Sequence, residues 1–271
     1  MQDRKLAEYV DNQLSLPLIV PYRNRLEHLV TFVPYMESFM KDIKFHIMLI
    51  EQADGKPFNR GKLLNIGFTV ANAHDNWVCF HDIDMLPKDD SCDYSLPQHT
   101  THLAGRVEQY GYRLPYPEYL GGVLLTTRVD FERVNGYSNE YWGWGNEDDD
   151  LFIRYLLAGV KIKRKPSLYI SLPHERSHHS AENVERLMHS LEFTMRQSNV
   201  PRIIARAKQV MNLWESAGIK PPDHLGEKAG DYRSDGLSSL RYELLYRQPL
   251  NKLIKFNSQI SDRHELISVK L

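Results

Sequence analysis

Three short apolar runs separated by two helical patterns fill the first 80 residues, and this alternation limits the fold more than any other feature. The runs are "LPLIVPY" (16–22), "KFHIMLIEQ" (44–52) and "NWVCF" (76–80). Between the first two, Leu26, Leu29, Val33, Met36 and Met40 recur at spacings of three and four, which mark one face of a helix. Pro34 falls inside that pattern and is expected to bend or split it. A second helix is expected from Lys62 to about Ala73. Strands joined in order through helices lie parallel, so the pattern implies an α/β, Rossmann-like sheet. Such sheets bind ligands beyond the carboxyl ends of their strands. Further on, "YLGGVLLTT" (119–127) reads as another strand opening on a glycine pair, and Asp148 to Leu157 as a helix with an acidic first turn.

The 271 residues are 42% apolar and 25% charged, the balance of a globular chain with a full core. A formal net charge of -1 supplies no field that would draw nucleic acid. No apolar run approaches the ~20 residues of a membrane span. Cys79 and Cys92 are the two cysteines; so few fit a reducing cytoplasm, although a single bridge between them is compatible with the count. Residues 182–219 carry two amphipathic patterns: Val184, Leu187, Met188, Leu191 and Met195, then Ile203, Ala207, Val210, Met211 and Trp214. Arg186, Arg196, Arg202, Arg206 and Lys208 lie among them, which admits a peripheral membrane contact. Packing of both helices on the domain, with a solvated basic face, is the favoured alternative. Residues 220–236 read as a turn-rich linker.

Polar motifs stand where the strands end. The first strand runs into "PYRNR" (21–25) and the third into "HDIDM" (81–85). Asp82 and Asp84 present carboxylates suited to a hard divalent cation shared with phosphate oxygens; solvation of a strand end is the plainer reading of so short a motif. Arg60, opening the second helix, joins Arg23 and Arg25 as guanidinium forks for a negatively charged ligand. In "YWGWGNEDDDL", one or two carboxylates satisfy the helix dipole, but Glu147 to Asp150 exceed that need. A carboxylate there is available for a polar ligand or a proton transfer. Gly143 and Gly145 around Trp144 suggest a hinged aromatic lid over a sugar ring, with core packing of Trp142 or Trp144 as the alternative.

Taken together, "PYRNR", "FNRGKLLNIGF", "HDIDMLP", "LPYPEYLGGV", "NGYSNEYWGWGNEDDDL" and "DGLSSLRY" occur in the order seen in the β-1,4-galactosyltransferase family, glycosyltransferase family 7, and the chain resembles it over about 17–188 and again near 235–246. The resemblance implies a single GT-A domain over 1–271, with a mostly parallel central sheet and an extra helical insertion at about 189–232. It also implies inverting transfer of galactose from UDP-galactose to a saccharide or glycolipid acceptor, with Mn²⁺ as cofactor and Mg²⁺ as an alternative. By position, Pro21, Arg23, Arg25, Phe58 and Arg60 resemble the uridine and phosphate contacts, with Asp82 towards the donor. Asp84 and His174 resemble the metal ligands, and Trp144 the mobile tryptophan serving donor and acceptor. Glu147 and Asp148 match the acceptor-binding acids, Asp148 as general base, with Arg186 at the acceptor side. Tyr119, beside Gly121 and Gly122, aligns with the residue next to C2 of the donor sugar.

Three positions depart from the family pattern. Ser171 stands where vertebrate lactose-synthase-type members have a methionine ligand, leaving His178, His179 or water to complete a site. Gln109 replaces a donor-region lysine, and Leu187 an aromatic of the N-acetyl pocket. The signal-anchor of the animal enzymes has no counterpart, which reads as a soluble enzyme of bacterial type. Competing readings are a UDP-GalNAc transferase of capsule or lipopolysaccharide assembly, a metal-dependent nucleotidyltransferase and a non-catalytic glycan-binding module.

Overall fold

The structure, a computed structural model, describes residues 15–174, 180–197, 201, 204–205, 208–209, 212, 231–256 and 260–271. Its first elements are β1 (Leu16–Tyr22), α1 (Leu26–Phe39), β2 (Phe45–Gln52), α2 (Arg60–Val70) and β3 (Trp77–His81). Strands β2, β1 and β3 lie side by side and parallel, as the alternation requires. The short strands β4 (Met85–Pro87), β5 (Thr101–His102) and β6 (Arg106–Val107) follow, then β7 (Val123–Thr127), α3 (Arg128–Arg133) and α4 (Glu147–Leu157). The remainder comprises β8 (Lys163–Arg164), β9 (Leu168–Ser171), α5 (Ala181–Gln197), β10 (Glu243–Pro249), α6 (Leu250–Leu253) and β11 (Glu265–Lys270).

The main sheet has the order β10-β11-β2-β1-β3-β7-β5-β8, and a small sheet β4-β9-β6 stands beside it. The main sheet is mixed. Its centre, β11-β2-β1-β3, is parallel, while β7 runs antiparallel to β3 and β5, and β10 antiparallel to β11. The strand expected over 119–127 begins only at Val123, because Gly122 at φ 84° interrupts the extended run.

β1 is buried along its whole length, and the two-residue strand period sends its side chains into two cores. Leu18 and Val20 pack with Leu29, Phe32, Val33 and Met36 of α1. Ile19 packs on the opposite face with Met48, Ile50 and Leu63, Leu64 and Ile66 of α2. α1 continues through Pro34 without splitting. Leu26, assigned to its apolar face from spacing, is 55% exposed. Phe32 takes the contact instead. Cys79 and Cys92 are both buried and free, so there is no bridge between them.

The first pattern of 182–219 forms α5 with Val184, Leu187, Met188 and Leu191 buried. Glu182, Glu185, Arg186 and Arg196 are exposed, so the described part of this face carries both signs of charge. Residue 189 lies inside this helix, so it is not a structural boundary. Ile203, Ala207, Val210, Met211 and Trp214, with Arg202 and Arg206, lie outside the described residues, as do 220–230 of the expected linker. No helix among the described residues is long and apolar enough to cross a membrane.

α2 is pressed so closely on β1 that a methyl group at Gly67 would meet Ile19 Cγ2 and lie 3.1 Å from Ile50 Cγ1. Overpacking of this kind typically costs about 1–3 kcal/mol. Gly67→Ala is therefore expected to lower Tm and the urea midpoint, and an unchanged midpoint would show that α2 slides freely.

Candidate active site

The site is built from the carboxyl end of β3, the start of α2 and the start of α4. α2 is fixed by Asn59, which is fully buried. The Asn59 side chain accepts from Lys62 N at 2.9 Å and donates to Asn139 O at 2.7 Å, while its backbone N–H donates to Gln52 Oε1 at 3.0 Å. This cap sets the directions of its neighbours, Phe58 and Arg60. Arg60 Nε donates to Asp82 Oδ1 at 2.6 Å, and Nη1 reaches Glu147 Oε1 at 3.5 Å. Arg60 thus joins the acids after β3 to those of α4. Arg23 Nη1 donates to Lys56 O at 2.6 Å, and its guanidinium lies 5.2 Å from the centre of the Phe58 ring. Pro21 is buried in β1.

Asp82 is anchored through its backbone N–H to Gly122 O at 2.9 Å. Behind it His81 is fully buried, with Nε2 2.7 Å from Tyr94 Oη; burial pushes its imidazole down to about 4, so it is neutral. Asp84 Oδ2 lies 3.0 Å from His174 Nδ1. Burial alone would raise the Asp84 carboxyl, but the His174 contact and the Arg25 charge bring it below its ordinary value. β9 carries Ser171 beside Met85, and Ser171 Oγ donates to Gln109 Oε1 at 3.3 Å. No group of three or more His, Cys, Asp or Glu side chains able to hold a metal occurs among the described residues. His178 and His179 lie outside them. A carboxylate and an imidazole 3.0 Å apart fit a divalent cation whose other positions are taken by phosphate oxygens and water.

α4 opens on Asn146 in the left-handed region, φ 75°, and is capped by no side chain. Glu147 is pushed up to about 7 by burial and the Asp148 charge, against the pull of Arg60. Asp149 is raised well above the carboxylate range by burial and Asp148; its Oδ2 accepts from Tyr116 Oη at 3.2 Å and Asn146 Nδ2 at 3.3 Å. Asp149 Oδ1 and Asn146 Oδ1 are buried with no hydrogen-bond partner. Asp150 turns away from the site and pairs with Arg154 at 2.6 Å.

Tyr119, Gly121 and Asp148 are brought together. A Cβ at Gly121 would stand 2.6 Å from Asp148 Oδ2 and 2.9 Å from both Tyr119 Oη and Cε2. Gly121 is therefore the glycine of this contact. Gly122, which the resemblance puts among the donor contacts together with Tyr119, faces Ala104, whose Cβ would be 2.7 Å from a side chain there. Tyr119 itself is edge-packed by His102, Tyr110 and Tyr116. The two tryptophans separate: Lys56 and Lys62 each approach the Trp142 ring to 5.7 Å, whereas Trp144 is 40% exposed. Arg186 is exposed on α5, and the adjacent Leu187 packs on Ile153 of α4 rather than lining a pocket.

Four contributors escaped the sequence reading: Tyr116, Asn146, Asn183 and the Asp150–Arg154 pair. The i,i+4 spacing of Asp150 and Arg154 was the one local signal available.

The family model described as the N-terminal region of glycosyl transferase group 7 matches residues 9–97, and that described as the N-terminal domain of galactosyltransferase matches 101–181. Human β-1,4-galactosyltransferase 4 is 41% identical over 177 residues, covering 63% of this chain and 52% of that protein. Rat β-1,4-galactosyltransferase 3 is 34% identical over 254 residues, covering 86% and 63%. The chain thus spans between half and two-thirds of the length of these relatives. Among solved structures, the catalytic domain of Drosophila β1,4-galactosyltransferase 7 with xylobiose superposes with a TM-score of 0.64 at 26% identity, over 95% of this chain and 94% of that one. A mutant of the same enzyme in complex with manganese, UDP-Gal and xylobiose gives 0.62 at 27%, with the same coverage. The α/β architecture shared with these catalytic domains is the GT-A fold.

The raised carboxyl of Glu147 has a consequence for stability. The folded chain holds this proton more tightly than the unfolded one, so stability falls as pH rises from the ordinary glutamate value towards about 7. Glu147→Gln removes that dependence. Its Tm relative to the parent is expected to be more favourable at about pH 8 than at about pH 5, and an equal difference at both would place the titration elsewhere.

Proposed function

Because the chain belongs to the glycosyltransferase group 7 family, we propose that it is an inverting transferase moving galactose from UDP-galactose to a sugar acceptor in β-1,4 linkage. The observation that carries this reading is at the start of α4. Asn146 and Asp149, which flank Asp148 in sequence, each hold a buried oxygen without a hydrogen-bond partner, and Trp144 just before them is exposed. Sugar hydroxyls both donate and accept such bonds, and an indole covers the apolar face of a sugar ring.

In this reading Pro21, Arg23, Arg25 and Phe58 hold the UDP portion, with Arg60 and Asp82 between it and the sugar. Asp148 accepts the acceptor hydroxyl proton as that oxygen bonds to C1 of galactose. The C1–oxygen bond to UDP breaks on the opposite face, and its electron pair leaves with the diphosphate. Mn²⁺ or Mg²⁺ held by Asp84 and His174 supplies positive charge to the diphosphate when bound. Glu147 and Asp149 orient the acceptor. Arg186 joins them only if α5 presents it to a longer acceptor. The buried free thiols of Cys79 and Cys92 support a reducing, cytoplasmic setting.

The test is UDP release from UDP-galactose and UDP-GalNAc with N-acetylglucosamine, glucose, lipid-linked sugars and xylosides, the last suggested by the xylobiose complex of the Drosophila enzyme. Acceptor-dependent release from UDP-galactose, lost on chelation, is expected; no release from any pair would overturn the reading. A nucleotidyltransferase leaves Trp144 and the acidic turn without a role. A non-catalytic glycan-binding module would give no UDP release with any metal.

Asp148→Asn is expected to keep UDP affinity and lose about 10²–10⁴ in rate, the usual cost of a missing general base. Near-native turnover would move the base elsewhere. Tyr119→Leu should open the space beside donor C2 and shift relative kcat/KM towards UDP-GalNAc by about 1–3 kcal/mol. An unchanged ratio would remove Tyr119 as the donor gate.

A further inference from the structure

α5 touches the Trp144 loop through a buried side chain, Asn183, which is 2% exposed. Its Nδ2 lies 3.0 Å from Trp142 O and 3.1 Å from Gly145 O, the carbonyls on either side of the Gly143–Trp144 step. A primary amide offers two N–H groups on one nitrogen, and here both are used on the same loop. The backbone it holds is one that strains most residues: Gly143 has φ 81° and Gly145 φ 104°. The loop is tied again at Gly143 N, which donates to Phe58 O at 2.7 Å, and at Trp144 O, which accepts from Ser180 N at 3.4 Å. α5 is in turn seated on α4, with Leu187 and Leu191 against Ile153 and Ser190 Oγ donating to Asp150 Oδ1.

From these contacts we propose that Asn183 is a positioning residue for acceptor recognition. Its amide fixes the loop conformation in which the Trp144 ring is exposed. The inference rests on the transferase reading for its functional meaning. The physical claim, that this amide holds the loop together with the ties at Gly143 N and Trp144 O, stands on the contacts alone. Asparagine is required because the isosteric aspartate has no N–H to give. It would set a carboxylate against two carbonyl oxygens and drive the loop off. Because the amide bonds the carbonyls on either side of Trp144, its loss acts on the site through that ring, and on acceptor use more than on UDP affinity.

The experiment uses Asn183→Asp, Asn183→Ala, Trp144→Ala and the Asn183→Asp/Trp144→Ala double variant in the full chain. Far-UV circular dichroism and Tm establish that each is folded, and Asn183→Ala serves if the aspartate variant is not. Acceptor KM is expected to rise about tenfold in Asn183→Asp, the size of one lost pocket contact, with UDP affinity by calorimetry unchanged. The double variant should be no worse than Trp144→Ala alone, because both changes remove the same interaction. Independently of turnover, chymotryptic cleavage at 142–144, read by mass spectrometry, should accelerate in Asn183→Asp and Asn183→Ala. Effects that add in the double variant, or parallel losses of UDP affinity and acceptor KM, would reduce Asn183 to a packing role and overturn the proposal. Unchanged cleavage would overturn it as well. A parent that releases no UDP but shows the cleavage difference would sink the transferase reading while leaving the amide's hold on the loop intact.

Discussion

The site depends on one cation, the Arg60 guanidinium, placed between carboxylates from two elements far apart in sequence. Asp82 follows a central strand and Glu147 opens a helix 65 residues later; Arg60 binds both. Without it, Asp82, Glu147 and Asp148 would share one poorly hydrated space with no compensating charge. One guanidinium does not satisfy three carboxylates. Burial and Arg60 pull Asp82 in opposite directions, and burial wins, leaving it above its ordinary value, as Glu147 also is. Such frustration is expected where a fold reserves groups for a ligand. In the proposed reading, a cation and sugar hydroxyls would supply the positive charge and hydrogen bonds that the protein leaves short here.

The acidic quartet divides by function once the helix is formed. At about 100° per residue, four successive side chains cannot share one face. Glu147, Asp148 and Asp149 surround the site, and Asp150 points behind it. There Arg154, 4% exposed, pairs with Asp150 and donates to Gly136 O at 3.1 Å and Asp235 O at 2.7 Å. Asp235 also accepts from Asn139 N at 3.0 Å, close to the residue that receives the α2 cap. The two helices that present Arg60 and Glu147 are thus set by one connected polar network. A buried pair of this kind adds little net stability over apolar packing, but removing one partner is costly, commonly about 3–5 kcal/mol. Its evident return is geometric.

Much of this was legible in the sequence, for identifiable reasons. β1, β2, β3, α1 and α2 follow from periodicity, because strands buried on both faces and helices buried on one leave strong local patterns. The positions of Asp82 and Asp84 follow from the rule that ligand sites lie beyond parallel strand ends, and that of Glu147 from an acidic turn with more carboxylates than a helix dipole needs. The antiparallel course of β7 left no such trace, since strand direction is set by the connection and not by composition. Leu26 was misread because one helix turn beside the site is open on its outer face. Gly121 and Gly122 are indistinguishable as letters; only the structure separates the one against Asp148 from the one against Ala104. Asn183 was invisible for a related reason, its partners being backbone carbonyls about 40 residues away.

Two departures from the family pattern turn out to be one. Ser171 and Gln109 are 62 residues apart in sequence, yet the serine hydroxyl donates to the glutamine carbonyl oxygen. A thioether and an ammonium group have thus been exchanged for two neutral groups that satisfy each other. The exchange removes a soft ligand from one side of the site and a positive charge from the other. In the proposed transferase reading, both losses would fall on the diphosphate, with one fewer protein cation beside it and one fewer protein ligand on the metal. With Asp84 and His174 as the proposed ligands, metal and donor would each complete the other's binding. By thermodynamic linkage, whatever factor the donor adds to metal affinity the metal adds to donor affinity. On the proposed reading, the pairing of Ser171 with Gln109 would therefore concentrate charge recognition on the ternary assembly of chain, cation and nucleotide sugar.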